Sequence, residues 1–126
     1  MKYGAENSRI DLLLQSEGRE DCFVEIKNVT AVDEQQNAIF PDAVSLRATR
    51  HLRELMHVVA EGQRGVIFFC IQREDIAKFR PADEIDVEYG KMLRKAIAQG
   101  VEAIAYKAEL DPNHIVLRDP VPVVCS

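Results

Sequence analysis

Three charged residues interrupt apolar segments near the start of the chain. Asp11 lies between Ile10 and a run of three leucines, and Glu25 and Lys27 alternate with apolar residues over 23–29. Because successive side chains of a strand point to opposite faces, Glu25 and Lys27 are expected to share one face. Burying charged groups without partners is costly, so their placement needs a chemical explanation.

A hairpin would bring all three charged residues together. Residues 9–14 and 22–29 are typical of strands, and 15–21 form a turn-like segment in which Gly18 can adopt positive φ. If the hairpin is centred on Gly18, Asp11 pairs opposite Glu25 and joins it on the same face.

Two interpretations of this cluster are open. The residue types alone favour a structural ion pair between Lys27 and Glu25 or Asp11. The alternative is a metal site, because two adjacent carboxylates repel each other and Mg²⁺ or Mn²⁺ relieves that repulsion through oxygen ligands. The carbonyl of Ile26 would add a ligand, and Lys27 would orient or deprotonate a water for attack on a phosphodiester.

The spacing of Asp11, thirteen residues and Glu-x-Lys resembles the PD-(D/E)xK nuclease superfamily. A wider set of segments, from about Tyr3 to Pro122, resembles the sugar fermentation stimulation protein (SfsA) family. These segments are Tyr3-Gly4, Ser8-Arg9-Ile10-Asp11-Leu12, Val24-Glu25-Ile26-Lys27-Asn28, Phe40-Pro41-Asp42, Arg50-His51-Leu52-Arg53-Glu54-Leu55, Gln72-Arg73 and Gly100-Val101-Glu102.

The resemblance implies an α/β, restriction-endonuclease-like fold with a mixed β-sheet flanked by helices. It implies that residues 1–126 form a single nuclease-like domain, and that the OB-type domain preceding it in the family is absent from this chain. Asp11, Glu25 and Lys27 would be the nuclease triad of a DNA-binding protein linked to regulation of sugar (maltose) metabolism. The alternative is a non-catalytic DNA-binding regulator with a vestigial metal site.

Further polar residues surround the expected site. Helical periodicity over 43–61 places four of them on one face: Arg47, Arg50, His51 and Glu54. This face is either solvated, with an i,i+4 pair of Arg50 and Glu54, or a surface that contacts phosphates. Two additional candidates for substrate contact are Arg9 and Gln72.

The remaining pattern predicts the elements that position these residues. Asp42 is expected to cap the helix over 43–61, whose apolar stripe includes Val44. A second helix, over 86–99, is expected to direct Ile97 inward. Residues 33–42 are predicted to form a loop and 73–84 an irregular segment. The other predicted elements are a buried strand over 65–72 and strands over 101–107 and 114–118.

Composition excludes several classes of protein. The chain has 126 residues, 47% of them apolar, and a net charge of −5, which fits one acidic globular domain and argues against coating nucleic acid through bulk charge. The longest apolar run, six residues, is too short to span a bilayer. Three cysteines without CxxC spacing indicate a reducing, cytoplasmic setting. The oligomeric state stays open.

Overall fold

The computed structural model describes residues 2–3, 8–9, 12–14, 21–110, 113 and 115–125. Within these ranges the chain forms a mixed α/β structure. Its strands are β1 (Lys2–Tyr3), β2 (Ser8–Arg9), β3 (Leu12–Leu14), β4 (Cys22–Val29), β5 (Ala31–Val32), β6 (Asn37–Phe40), β7 (Arg64–Ile71), β8 (Lys78–Pro81), β9 (Glu102–Leu110) and β10 (Ile115–Val121). Its helices are α1 (Leu46–Ala60) and α2 (Val87–Ala98).

The central sheet is mixed and has the order β10-β9-β7-β4-β3. Strands β4, β7 and β9 are parallel, and the two edge strands are antiparallel to their neighbours. The central β7 is almost continuously apolar, as expected for a strand that is covered on both faces. The sheet therefore carries β4 as an inner strand next to β7.

The register of β3 against β4 agrees with the predicted hairpin. Leu12 pairs with Val24 and Leu14 with Cys22, so each pair has the offset that a turn centred on Gly18 requires. Of the predicted strand over 9–14, residues 12–14 form β3, whereas Arg9 belongs to β2, which pairs with Lys2–Tyr3 in a separate two-stranded sheet. Asp11 lies outside the described residues.

A second sheet, of order β5-β6-β8, corrects two predictions in part: β6 occupies 37–40 of the predicted loop over 33–42, and β8 occupies 78–81 of the irregular segment over 73–84. Asp33 closes the β5–β6 turn by accepting hydrogen bonds from the backbone N–H groups of Gln35 and Asn37, each at 2.9 Å. These strands have two to four residues, too few for a period of two to be recognised in the sequence.

Helix α1 begins three residues later than the sequence predicted. Its N-cap is Ser45, whose hydroxyl accepts from the N–H of Ala48 at 3.0 Å, so the prediction of Asp42 as the cap is wrong. Val44 precedes the helix and is 68% exposed, which corrects its place in the apolar stripe. A hydroxyl at Ser45 satisfies an N–H group of the first turn that Asp42, outside the helix, does not reach.

Both helices pack on the same core as the sheet. Fully buried side chains from α1, α2 and β7 meet there, namely Leu52, Leu55, Leu93, Ile67 and Phe69. Ile97 is 37% exposed and so does not face inward as predicted, because the buried side of α2 is formed by Tyr89, Leu93 and Ala96. Among the described residues, no helix has the length and apolar character needed to cross a membrane.

Candidate functional site

Strand β4 directs Glu25 and Lys27 toward α1, on the face that the alternation predicts. Its other face carries Val24 and Ile26, which pack in a small apolar cluster with residues of β7 and β9. Glu25 is 2% exposed, and its Oε1 atom lies 3.3 Å from the Nζ atom of Lys27. The charged pair is therefore part of the interface between the sheet and the helix.

His51 joins this pair from α1. Its Nδ1 atom lies 2.7 Å from Nζ of Lys27 and 2.9 Å from Oε1 of Glu25. The imidazole is 3% exposed, since the neighbouring Leu52 packs into the core and holds this side of the helix against the sheet. Glu25 and His51, which are buried, and Lys27, which is partly buried, thus form a compact cluster of three ionisable groups, called here the β4–α1 cluster.

The helix face that the sequence grouped together is divided by the packing. His51 and Glu54 are buried, with Glu54 only 1% exposed, whereas Arg47 is exposed and Arg50 half-buried. The prediction of one solvated face is wrong for these two buried residues. His51 contacts β4 of the sheet, and both residues flank the apolar stripe of α1 closely enough to be buried, which helical spacing alone does not reveal.

The remaining predicted site residues lie after the end of β7, in β2, or outside the described residues. Gln72 is exposed and follows β7, and its backbone N–H donates to the carbonyl of Val29 at 3.1 Å, beside the end of β4. Arg9 is placed in β2, and its side chain is not described. Asp11 also lies outside the described residues. Of the predicted site residues, the structure shows Glu25, Lys27 and His51 in mutual contact.

The oxygen donors in the β4–α1 cluster suit a hard divalent cation in type. Glu25 supplies a buried carboxylate, and the adjacent Ile26 supplies a backbone carbonyl on the same strand. Carboxylate and carbonyl oxygens are the ligands that Mg²⁺ and Ca²⁺ prefer. Within the part of the chain that the structure describes, no group of three or more His, Cys, Asp or Glu residues could hold a metal ion. A further carboxylate would have to come from Asp11.

Tyr89 is a buried polar residue that the sequence analysis missed. Its side chain is fully buried on α2, in edge contact with Phe40, and its hydroxyl finds no hydrogen-bond partner among the described residues. Burial raises the pKa of Tyr89 well above its ordinary value, and the negative charge of Glu25 raises it further. A phenol that stays protonated in this way lies within electrostatic range of the cluster. The position of Tyr89 in the sequence does not distinguish a buried hydroxyl close to a charged cluster from an ordinary core side chain.

These observations define the class of protein: a mixed α/β domain with a buried glutamate and histidine and a partly buried lysine between its central sheet and its first helix. A family model described as "Sugar fermentation stimulation protein RE domain" matches residues 1–114. The chain belongs to the sugar fermentation stimulation protein family.

Curated relatives and a solved structure agree with this assignment. The chain is 54% identical to the sugar fermentation stimulation protein homologues of Teredinibacter turnerae, over 123 residues, and Geobacter metallireducens, over 125 residues. The match covers 98% of this chain and 52% and 53% of those proteins, so the chain spans about half their length. SfsA of Pyrococcus furiosus, solved in complex with Ca²⁺, is similar with a TM-score of 0.83 and 28% identity, over 98% of this chain and 54% of that one.

Proposed function

We propose that this domain is a DNA-binding, restriction-endonuclease-like module that hydrolyses phosphodiester bonds with the help of Mg²⁺ or Mn²⁺. The observation that carries the proposal is the contact of the buried Glu25 with Lys27 on β4. A second carboxylate, Asp11, is expected next to this strand. The Ca²⁺ named for the Pyrococcus furiosus relative supports it, because that cation also takes oxygen ligands.

Each residue of the proposed site has a distinct task. Asp11, Glu25 and the carbonyl of Ile26 would hold the cation. When bound, a divalent cation stabilises negative charge on phosphate oxygens and lowers the pKa of a coordinated water. Lys27 would orient the attacking water with its ammonium group and stabilise the charge that develops on the phosphate.

The DNA would be positioned through its backbone phosphates. Arg47 is exposed on the first turn of α1, the helix that carries His51, and an arginine there suits phosphate oxygens. Arg50 and Gln72 are further candidates for contact, and Arg9 would add another from the N-terminal segment. Because 21 acidic residues outnumber 16 basic ones, for a net charge of −5, binding by this domain should be weak and strongly dependent on salt. Through such binding the protein would act in the regulation of sugar metabolism.

A second candidate is a DNA-binding regulator that does not cleave. The observation in its favour is that the Lys27 ammonium already neutralises Glu25 at 3.3 Å. A carboxylate that already has an ammonium partner does not require a cation to balance its charge.

A cleavage assay separates the two candidates. The full chain is incubated with supercoiled, linear and single-stranded DNA and with RNA, in Mg²⁺, Mn²⁺ or EDTA. Metal-dependent cleavage that Asp11→Asn, Glu25→Gln and Lys27→Met each abolish supports the nuclease. Binding of DNA without cleavage under any of these conditions supports the regulator.

A binding assay tests the DNA-contacting surface independently of cleavage. Arg47→Ala should weaken binding and reduce the slope of log affinity against log salt by about 1, as expected when one phosphate contact is lost. Arg118→Ala is the matched control, because Arg118 is an exposed arginine on the edge strand β10 that pairs with Glu109 at 2.6 Å. An equal loss in both variants contradicts the assignment of Arg47.

A further inference from the structure

We propose that His51 is a positioning residue that fixes the ammonium group of Lys27 through its Nδ1 atom. This inference rests on the proposed function, in which Lys27 acts on the attacking water or the phosphate. The shortest contact in the β4–α1 cluster carries it, namely the 2.7 Å between Nζ of Lys27 and Nδ1 of His51.

The donor and acceptor chemistry gives this contact a direction. A lysine ammonium has three N–H donors and no acceptor, so Nδ1 of His51 must accept the hydrogen bond. An imidazole nitrogen that accepts carries no hydrogen, so this contact places the ring hydrogen on Nε2. Nδ1 in this form cannot also donate to Oε1 of Glu25, although the two atoms are 2.9 Å apart. The Lys27 ammonium lies within hydrogen-bond distance of both Nδ1 of His51 and Oε1 of Glu25, and it bridges these two acceptors.

The histidine holds Lys27 more closely than the carboxylate does. Nζ is 3.3 Å from Oε1 of Glu25, longer than the usual 2.7–2.9 Å of a charge-assisted N–H···O bond. A lysine side chain has four rotatable bonds and loses its rotamer freedom when it is fixed. A hydrogen bond to His51 compensates for that loss. The acceptor is itself held in place, since His51 is buried on α1 next to the fully buried Leu52.

Two elements hold the ammonium group of Lys27, since Oε1 of Glu25 lies 3.3 Å from Nζ on β4 and Nδ1 of His51 lies 2.7 Å from it on α1. Lys27 therefore has one anchor on its own strand and a second on the neighbouring helix. The second anchor determines where the ammonium points.

Three substitutions of His51 test this role. His51→Asn places an amide oxygen close to the position of Nδ1, His51→Gln extends an amide toward the position of Nε2, and His51→Leu removes all polar atoms. His57→Asn is the matched control, because His57 is a half-exposed histidine of the same helix that pairs with Glu61 instead. Melting curves are recorded for all variants to check that each one is folded.

The first measurement is independent of activity. In nitrogen-15 NMR of the metal-free protein we expect Nδ1 of His51 to resonate as an unprotonated ring nitrogen, and the Lys27 ammonium to give a protected signal. That ammonium signal should persist in His51→Asn and in the His57 control, and should be lost in His51→Gln and His51→Leu. A protonated Nδ1, or a Lys27 signal that survives in His51→Leu, overturns the proposal.

The second measurement uses cleavage and Ca²⁺ binding. His51→Gln and His51→Leu should lower kcat by about a hundredfold, the scale of a misplaced catalytic group, and leave KM for DNA unchanged. His51→Asn should recover most of kcat, and Ca²⁺ affinity should be the same in all three variants. If His51→Gln loses Ca²⁺ binding as Glu25→Gln does, His51 is a metal ligand and the positioning role is wrong. If the unmutated chain never cleaves, the proposed function fails, and the NMR result alone decides the role of His51.

Discussion

The backbone N–H of Ser45 donates a hydrogen bond to Oδ2 of Asp86 at 2.9 Å, which joins the N-termini of the two helices. Asp86 is 4% exposed and also caps its own helix, since Oδ1 accepts from the N–H of Tyr89 at 3.1 Å. One buried carboxylate thus fixes the start of α1 relative to α2. The helix that begins at this junction also carries His51.

We expect Asp86→Ala to destabilise the protein by about 2 kcal/mol, because it removes a helix cap and leaves buried N–H groups without acceptors. Urea unfolding measures the change. Ser45→Ala should cost about 1 kcal/mol, since it removes the cap of α1 only. Asp42→Ala is the control and should change nothing, because Asp42 is exposed outside the helix. A larger loss in Asp42→Ala than in Ser45→Ala would contradict the assignment of the cap.

Gln36 provides a second test of stability, since its φ of 61° lies in the left-handed region. Residues with a Cβ atom pay about 1 kcal/mol or more for this conformation, and glycine does not. Gln36→Gly should therefore raise the free energy of unfolding by up to about 1 kcal/mol. Gln35→Gly, one position earlier in the same turn, should lower it, and equal effects of the two substitutions would contradict the explanation.

Asp33 makes the second sheet sensitive to acid. Burial alone raises the pKa of Asp33, but hydrogen bonds from Asn37, Arg80 and the N–H of Gln35 outweigh that effect and bring it to about 2. The folded value lies below the unfolded value, so this stabilisation is complete above about pH 4 and is lost as the pH falls toward 2. An NMR titration should give the pKa of about 2 directly.

Substitution of Asp33 measures how much of the loss of stability at low pH is due to this residue. Asp33→Asn should be less stable at neutral pH and should lose less stability than the unmutated protein between pH 5 and 2. Asp75→Asn is the control, since Asp75 is an exposed carboxylate paired with Arg73 at 3.0 Å. If Asp33→Asn shows the same acid profile as the unmutated chain, another carboxylate is responsible.

The sequence predicted those features that depend on local periodicity. Alternation along 22–29 placed Glu25 and Lys27 on one face, and the offset across Gly18 predicted the observed pairing of β3 with β4. Both follow from the period of two in a strand, which needs no knowledge of the rest of the fold.

Features that depend on tertiary packing were not predictable in the same way. His51 was assigned to a polar helix face, because its spacing from Arg47 and Glu54 resembles a solvated stripe. Its burial follows from the angle at which α1 lies on the sheet, and that angle is set by contacts distant in sequence. The burial of the Tyr89 hydroxyl was not predicted either, because it also depends on contacts between residues distant in sequence.

Divalent cations should raise the thermal stability of the protein through Glu25. A cation that binds the folded chain and not the unfolded chain stabilises it by about 2.7 kcal/mol at a hundredfold excess over its dissociation constant. We therefore expect millimolar Ca²⁺ or Mg²⁺ to raise Tm, and Glu25→Gln to abolish the response. Glu25→Gln keeps the shape of the side chain and removes the charge that attracts the cation.

Lys27→Met distinguishes this effect from a structural ion pair. Without cations it should destabilise the protein by about 3 kcal/mol, because it leaves the buried Glu25 without its ammonium partner. With cations the gain in Tm should be at least as large as in the unmutated chain, since a competing positive charge has been removed, while cleavage is lost. If neither the unmutated chain nor Lys27→Met responds to cations in melting curves, Glu25 and Lys27 form a structural ion pair and not a metal site.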